Sequence, residues 1–85
     1  MPHVDDSRAL AVTILSRCLQ LPQEQCTSAH AQETPEWDSF AHLEIVVELE
    51  ERFDCRLELP AIESIVDVAS LASLIDALAA RDAPS

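Results

Sequence analysis

Glycine, lysine and tyrosine are absent from this 85-residue chain, and aromatic residues make up only 4% of it. Without glycine there is no glycine-rich phosphate loop, which disfavours nucleotide-binding enzymes and leaves the turns to proline and Asp. Without lysine, five arginines face 16 Asp and Glu residues, for a formal net charge of −11. Such a surface repels phosphate and anionic lipid, so nucleic acid and membrane surfaces are poor partners. Basic patches on other proteins are the expected partners, at rates that salt reduces. No apolar run approaches the roughly 18 residues of a membrane span. The start, Met1-Pro2-His3-Val4-Asp5-Asp6, lacks the basic and apolar stretches of a secretion signal, so a cytoplasmic monomer is expected. Three cysteines, Cys18, Cys26 and Cys55, form no CxxC pair and are odd in number, which predicts free thiols rather than disulfides or a metal knuckle.

What is present is apolar: 48% of the chain, enough for a packed core despite the charge. The length predicts one small domain, ordered over about residues 5–80, that buries roughly 60–65% of its unfolded surface. Leu10, Ala11, Ile14, Leu15, Cys18 and Leu19 share one helical face, predicting a first helix over residues 6–20. Residues 21–37 carry Pro22 and Pro35 without periodicity and read as a long loop that pins itself to the core through Trp37. Asp38 predicts an N-cap for a second helix running to about Phe53, with Ile45, Val46, Leu49 and Phe53 turned inward. Its outer face mixes Phe40 and Val47 with Glu44, Glu48 and Glu51, and a solvated face seldom carries a Phe. Residues 61–65, started by Pro60, predict a short third helix, and Asp67 caps a fourth through Val68, Leu71, Leu74, Ile75 and Leu78, with fraying expected over 81–85. No strand pattern persists, so the expectation is an all-α bundle of four helices.

Enzymatic constellations are weak. His42 follows Ser39 by three residues, and its wheel angle predicts packing and a hydrogen bond to the long loop rather than a role as a base. His3 and His30 fall in segments expected to be loose. No HExxH, paired Cys/His spacing or calcium-loop pattern appears, so no metal and no catalytic residue is assigned. Ser39 is the residue that stands out. It follows an acidic cap at the positive end of a helix, where a phosphodiester on its oxygen would meet unpaired backbone N–H groups. Capping alone also explains a serine there.

The stretch Trp37-Asp38-Ser39-Phe40-Ala41-His42-Leu43-Glu44-Ile45-Val46-Val47-Glu48-Leu49-Glu50-Glu51-Arg52-Phe53 closely resembles the attachment region of the acyl carrier protein family, whose usual motif reads Asp-Ser-Leu. Leu57-Glu58-Leu59-Pro60 resembles that family's turn into its third helix, and Ile65-Val66-Asp67-Val68 with Ser70-Leu71 resembles the start of its fourth. The likeness covers about residues 35–79 and reaches the first helix by pattern only.

The resemblance implies a four-helix carrier fold and a function without catalysis. A phosphopantetheinyl transferase would move 4′-phosphopantetheine from coenzyme A onto Ser39, and the arm's thiol would carry acyl groups as thioesters to partner enzymes. By the same resemblance Asp38 helps the transferase dock. Glu44, Glu50 and Glu51 face basic residues of a loading ligase or synthase, and Phe40 and Val47 add apolar contacts. The wheel supports Phe40, Glu44, Val47, Glu48 and Glu51 for this docking face and puts Glu50 nearer a flank. Residues 38–54 hold six acids and one arginine.

Three departures from the family pattern stand in the sequence. Phe40 replaces the usual leucine, residues 60–65 are about two residues shorter, and Asp54 stands where relatives often have glycine. Pro35-Glu36-Trp37-Asp38 replaces the glycines that precede the serine in peptidyl carriers. This favours an acyl cargo over an aminoacyl or peptidyl one. An unmodified acidic interaction module is the reading from a different class.

Overall fold

The three amphipathic stretches become three long helices. The computed structural model describes residues 3–82 of the chain, with side-chain surroundings defined over 6–80. Helix α1 spans His3–Leu19, α2 Gln23–Cys26, α3 Ser39–Phe53, α4 Leu59–Ser64 and α5 Val68–Asp82. Helix α1 packs chiefly on α5 and next on α3, while α4 rests on α5. Between the long helices lie Ile14, Leu15, Ile45, Leu49, Ile65, Val68 and Leu71, all fully buried. Each such side chain is worth about 1.5–3 kcal/mol on removal from water. The described residues are all-helical, with one isolated bridge between His30 and Asp67 and no strand.

Chain reversals without glycine use other residues. Asp54 ends α3 at φ 50°, ψ 55°, in the left-handed region expected for it, and its N–H reaches the Glu50 carbonyl. Gln20 does the same after α1 at φ 59°. There Leu21 N–H donates to the Ser16 carbonyl (3.2 Å), and the Ser16 hydroxyl donates to the Leu21 carbonyl (2.6 Å). A left-handed residue with a Cβ costs roughly 1–2 kcal/mol, which these terminal bonds offset.

The segment read as an open loop differs from expectation. Its residues 23–26 wind into α2 because Cys26 is drawn fully into the core, and a single burial can hold one helical turn that no periodicity announces. Beyond it, the Ala31 N–H donates to the Val66 carbonyl (2.8 Å), and the Thr34 hydroxyl accepts from the His30 N–H (2.9 Å). His30 is therefore tied down rather than loose. Trp37 is only 4% exposed, so the loop is pinned as its aromatic ring predicted.

Boundaries shift elsewhere. Helix α1 starts three residues earlier than expected, and α4 covers Leu59–Ser64 rather than 61–65. Pro60 sits inside the first turn of α4, where its missing N–H would have had no intrahelical acceptor. Phe53 is half-buried rather than fully turned inward. Of the tail expected to fray, residues 81 and 82 close α5 and 83–85 lie outside the described residues, as does the side chain of His3.

Candidate functional site

The start of α3 is built by one carboxylate. Asp38 adopts an extended backbone (φ −94°, ψ −174°), and its Oδ1 accepts from the Ala41 N–H at 2.9 Å. The first intrahelical bond runs from His42 N–H to the Asp38 carbonyl (2.9 Å), so the N–H groups of Ser39 and Phe40 precede the hydrogen-bonded ladder. Ser39 is exposed. Whereas the hydroxyls of Ser7, Ser16, Ser64 and Ser70 donate to Asp76, Leu21, Ala61 and Asp67, that of Ser39 is unengaged among the described residues. Ser28 and Ser73 share that freedom, but one follows a single helical turn and the other sits in mid-helix, away from any long helix's first turn. A hydroxyl beside unspent N–H groups at the positive end of a 15-residue helix suits a phosphorylated group on its oxygen.

Behind this turn, a relay of rings ties three elements together. Trp37 Nε1 donates to His42 Nδ1 at 3.0 Å, and His42 Nε2 lies 2.9 Å from the Ile62 carbonyl. The indole can only donate, so Nδ1 accepts and the donor and acceptor pattern assigns the imidazole proton to Nε2, facing Ile62. Both ring nitrogens are thereby engaged away from Ser39. His42 fastens the loop before α3 to the end of α4, extending the expected bond to the loop by a second contact.

The expected docking residues divide into three groups. Phe40 (69% exposed) and Val47 (49%) stand out into solvent with Glu44 and Glu51. Glu48 is held by two arginines, Arg17 of α1 at 3.4 Å and Arg52 at 3.0 Å. Asp38 and Glu50 each also hold the chain with one carboxylate oxygen, Asp38 in the cap and Glu50 as the acceptor of the Leu57 N–H (2.9 Å) at the turn after α3.

Two further large apolar side chains stand in solvent, Leu43 on α3 and Leu59 on α4. Leu43 is 60% exposed and Leu59 64%. Leu43 was open to discovery, since it lies three residues after Phe40 and four before Val47 on the same sector. Together Phe40, Leu43, Glu44, Val47 and Glu48 form one wall of a groove of about 450 Å³ whose other wall is Arg17 and Cys18 of α1. Burial, then the nearby Glu44 and Glu48 carboxylates, push the Cys18 thiol up to about 11, so it lines this groove as a neutral group. The three cysteines are free thiols.

A second cavity of about 560 Å³ lies at the far end of α3, lined by Leu10, Phe53, Ile75 and Ala79 with Asp6 and Asp76 at its polar edge. Ser39 and Phe53 are the two ends of α3, about 21 Å apart by helical rise, so this cavity lies at the opposite end of the helix from Ser39. Among the described residues no cluster of three or more His, Cys, Asp or Glu could hold a metal, and no helix is long and apolar enough to cross a membrane. No protein-family model matches the chain, and no curated protein sequence matches it.

Proposed function

We propose that the chain is an acyl carrier domain modified with 4′-phosphopantetheine on Ser39. The observation that carries this reading is the unengaged, exposed hydroxyl of Ser39 in the first turn of α3, next to a cap that leaves two N–H groups unspent. In the transfer, Ser39 Oγ forms a phosphodiester with the pantetheine-side phosphate of coenzyme A, adenosine 3′,5′-bisphosphate departs, and the hydroxyl proton passes to a base of the transferase. The free N–H groups of Ser39 and Phe40 face the new negative charge. When attached, the arm supplies a thiol for acyl groups. Asp38 holds the turn, and the Trp37–His42–Ile62 relay keeps it fixed against the loop and α4.

The arrangement of long helices supports a four-helix carrier plan in which α1, α3, α4 and α5 are the bundle and α2 is an added turn within the loop. Phe40, Val47, Glu44 and Glu51 supply the docking face beside the attachment point. Exposed charge pairs contribute only about 0.2–1 kcal/mol each, which suits a carrier that leaves one enzyme for the next. Incubation with coenzyme A and a broad-specificity phosphopantetheinyl transferase tests the reading. The intact mass rises by one phosphopantetheine, and Ser39→Ala abolishes the rise. An unchanged mass with several transferases would leave an acidic interaction module instead.

A further inference from the structure

The docking face is not uniformly acidic, and its departure has a pattern. Round the outer surface of α3 the helical period places Leu43, Val47 and Phe40 in one stripe, Glu51 and Glu44 in the next, and Glu48 with Arg52 in a third, against α1. In that third stripe two guanidinium groups share one carboxylate, Arg17 at 3.4 Å and Arg52 at 3.0 Å, so the trio keeps one surplus positive charge. The Arg17 side chain is 64% exposed, and Glu48 engages one of its terminal nitrogens. A guanidinium carries five N–H donors, so most of those of Arg17 remain open to an incoming acceptor. Glu44 and Glu51, by contrast, are exposed carboxylates without an ion-pair partner among the described residues.

We propose that this groove receives a partner helix of mixed charge. Its apolar side chains lie over Phe40, Leu43 and Val47, its Lys or Arg residues face Glu44 and Glu51, and an Asp or Glu on its α1-side flank takes the open donors of Arg17. Charge complementarity selects this occupant. A partner basic out to its α1-side edge brings a cation against the Arg17 and Arg52 pair, where like charges repel, while a carboxylate there meets a fork that matches its geometry. The apolar stripe runs from Phe40 to Val47, seven positions on and about two helical turns, which is the footprint of a helix laid in a groove. The proposal rests on the carrier reading only in taking the partner to be an enzyme that handles the arm.

Two synthetic helical peptides serve as probes. They share an apolar face and the Lys/Arg row beside it, and differ at one position beyond that row, on the α1-side edge, Glu in the first and Lys in the second. Each is titrated by NMR into the isotope-labelled chain, and into its Ser39→Ala variant, at about 150 mM salt, where only close charges count. The Glu peptide binds about fivefold tighter, the size of one or two exposed charge pairs, with shifts centred on Arg17, Cys18 and residues 40–52. Arg17→Glu reverses the preference. Equal or tighter binding of the Lys peptide to the parent, or an unchanged preference in Arg17→Glu, overturns the proposal. If the chain takes up no phosphopantetheine yet prefers the Glu peptide, the carrier reading fails and the surface stands. Uptake without the preference removes the surface alone.

Discussion

Helices α3 and α5 are each 15 residues long, each follows an Asp cap, and each has a serine in its first turn, yet the two serines do opposite things. At α5, Asp67 Oδ1 accepts from the Ser70 N–H (2.8 Å), while Ser70 Oγ accepts from the N–H groups of Val66 (2.9 Å) and Asp67 (3.0 Å). It also donates to the Asp67 carbonyl (3.1 Å), which fills the hydroxyl's capacity. This is a reciprocal box, with serine taking the place usually held by Glu or Gln. At α3 the serine is one residue after the cap instead of three. From there its side chain cannot turn back over the first turn, and it projects into solvent unengaged. Residue type and cap are the same; spacing alone decides whether a serine closes a helix or stands free in solvent.

That contrast predicts a crossover. Ser39→Ala removes all phosphopantetheine uptake and shifts stability by no more than about 0.5 kcal/mol, the range for a surface position that holds nothing. Ser70→Ala takes up the arm as the parent does but loses about 1–2 kcal/mol, because two N–H groups lose their acceptor. Intact mass and urea midpoints read both variants. Equal destabilisation by the two would mean that Ser39 also closes its helix. A smaller effect separates the two roles of Asp38. Asp38→Ala costs about 1 kcal/mol through the lost bond to Ala41, whereas Asp38→Asn keeps an acceptor and nearly all the stability. If the charge serves transferase docking, both variants slow uptake; if only the cap matters, Asn restores the parent rate.

The parts of this fold that were legible in the sequence are those set by neighbours within one or two turns. Ile45 and Leu49 are fully buried where the helical period put them, Asp38 caps, and Asp54 takes the left-handed turn. The rest depends on residues far apart in the chain. Helix α2 forms because Cys26 enters the core, a tertiary event that four residues cannot signal. The bond from the Leu57 N–H to Glu50 depends on the turn after α3, which no helix pattern shows. Arg17 precedes Glu48 by 31 residues, so no wheel drawn on α3 shows the cation at its edge. Ser39 itself was legible as a position, while its freedom from hydrogen bonds needed the folded chain.

The cap of α5 also responds to acid. The backbone N–H of Ser70, helped by the nearby His30 and Arg8, holds the Asp67 carboxyl below its ordinary value of 3.8. A carboxyl lowered in the folded state adds stability above its unfolded value and loses it as pH falls through the folded one. Asp67→Asn keeps a cap acceptor without an ionisable group. The parent is therefore more stable than Asp67→Asn at neutral pH, by the few tenths of a kcal/mol typical of an exposed charge at a helix N-terminus. That margin shrinks below about pH 4 as the parent's carboxylate takes up its proton. Thermal melts of both chains from neutral to acid pH check it: converging curves support the charge at this cap, and a constant offset would assign the difference to hydrogen-bond geometry.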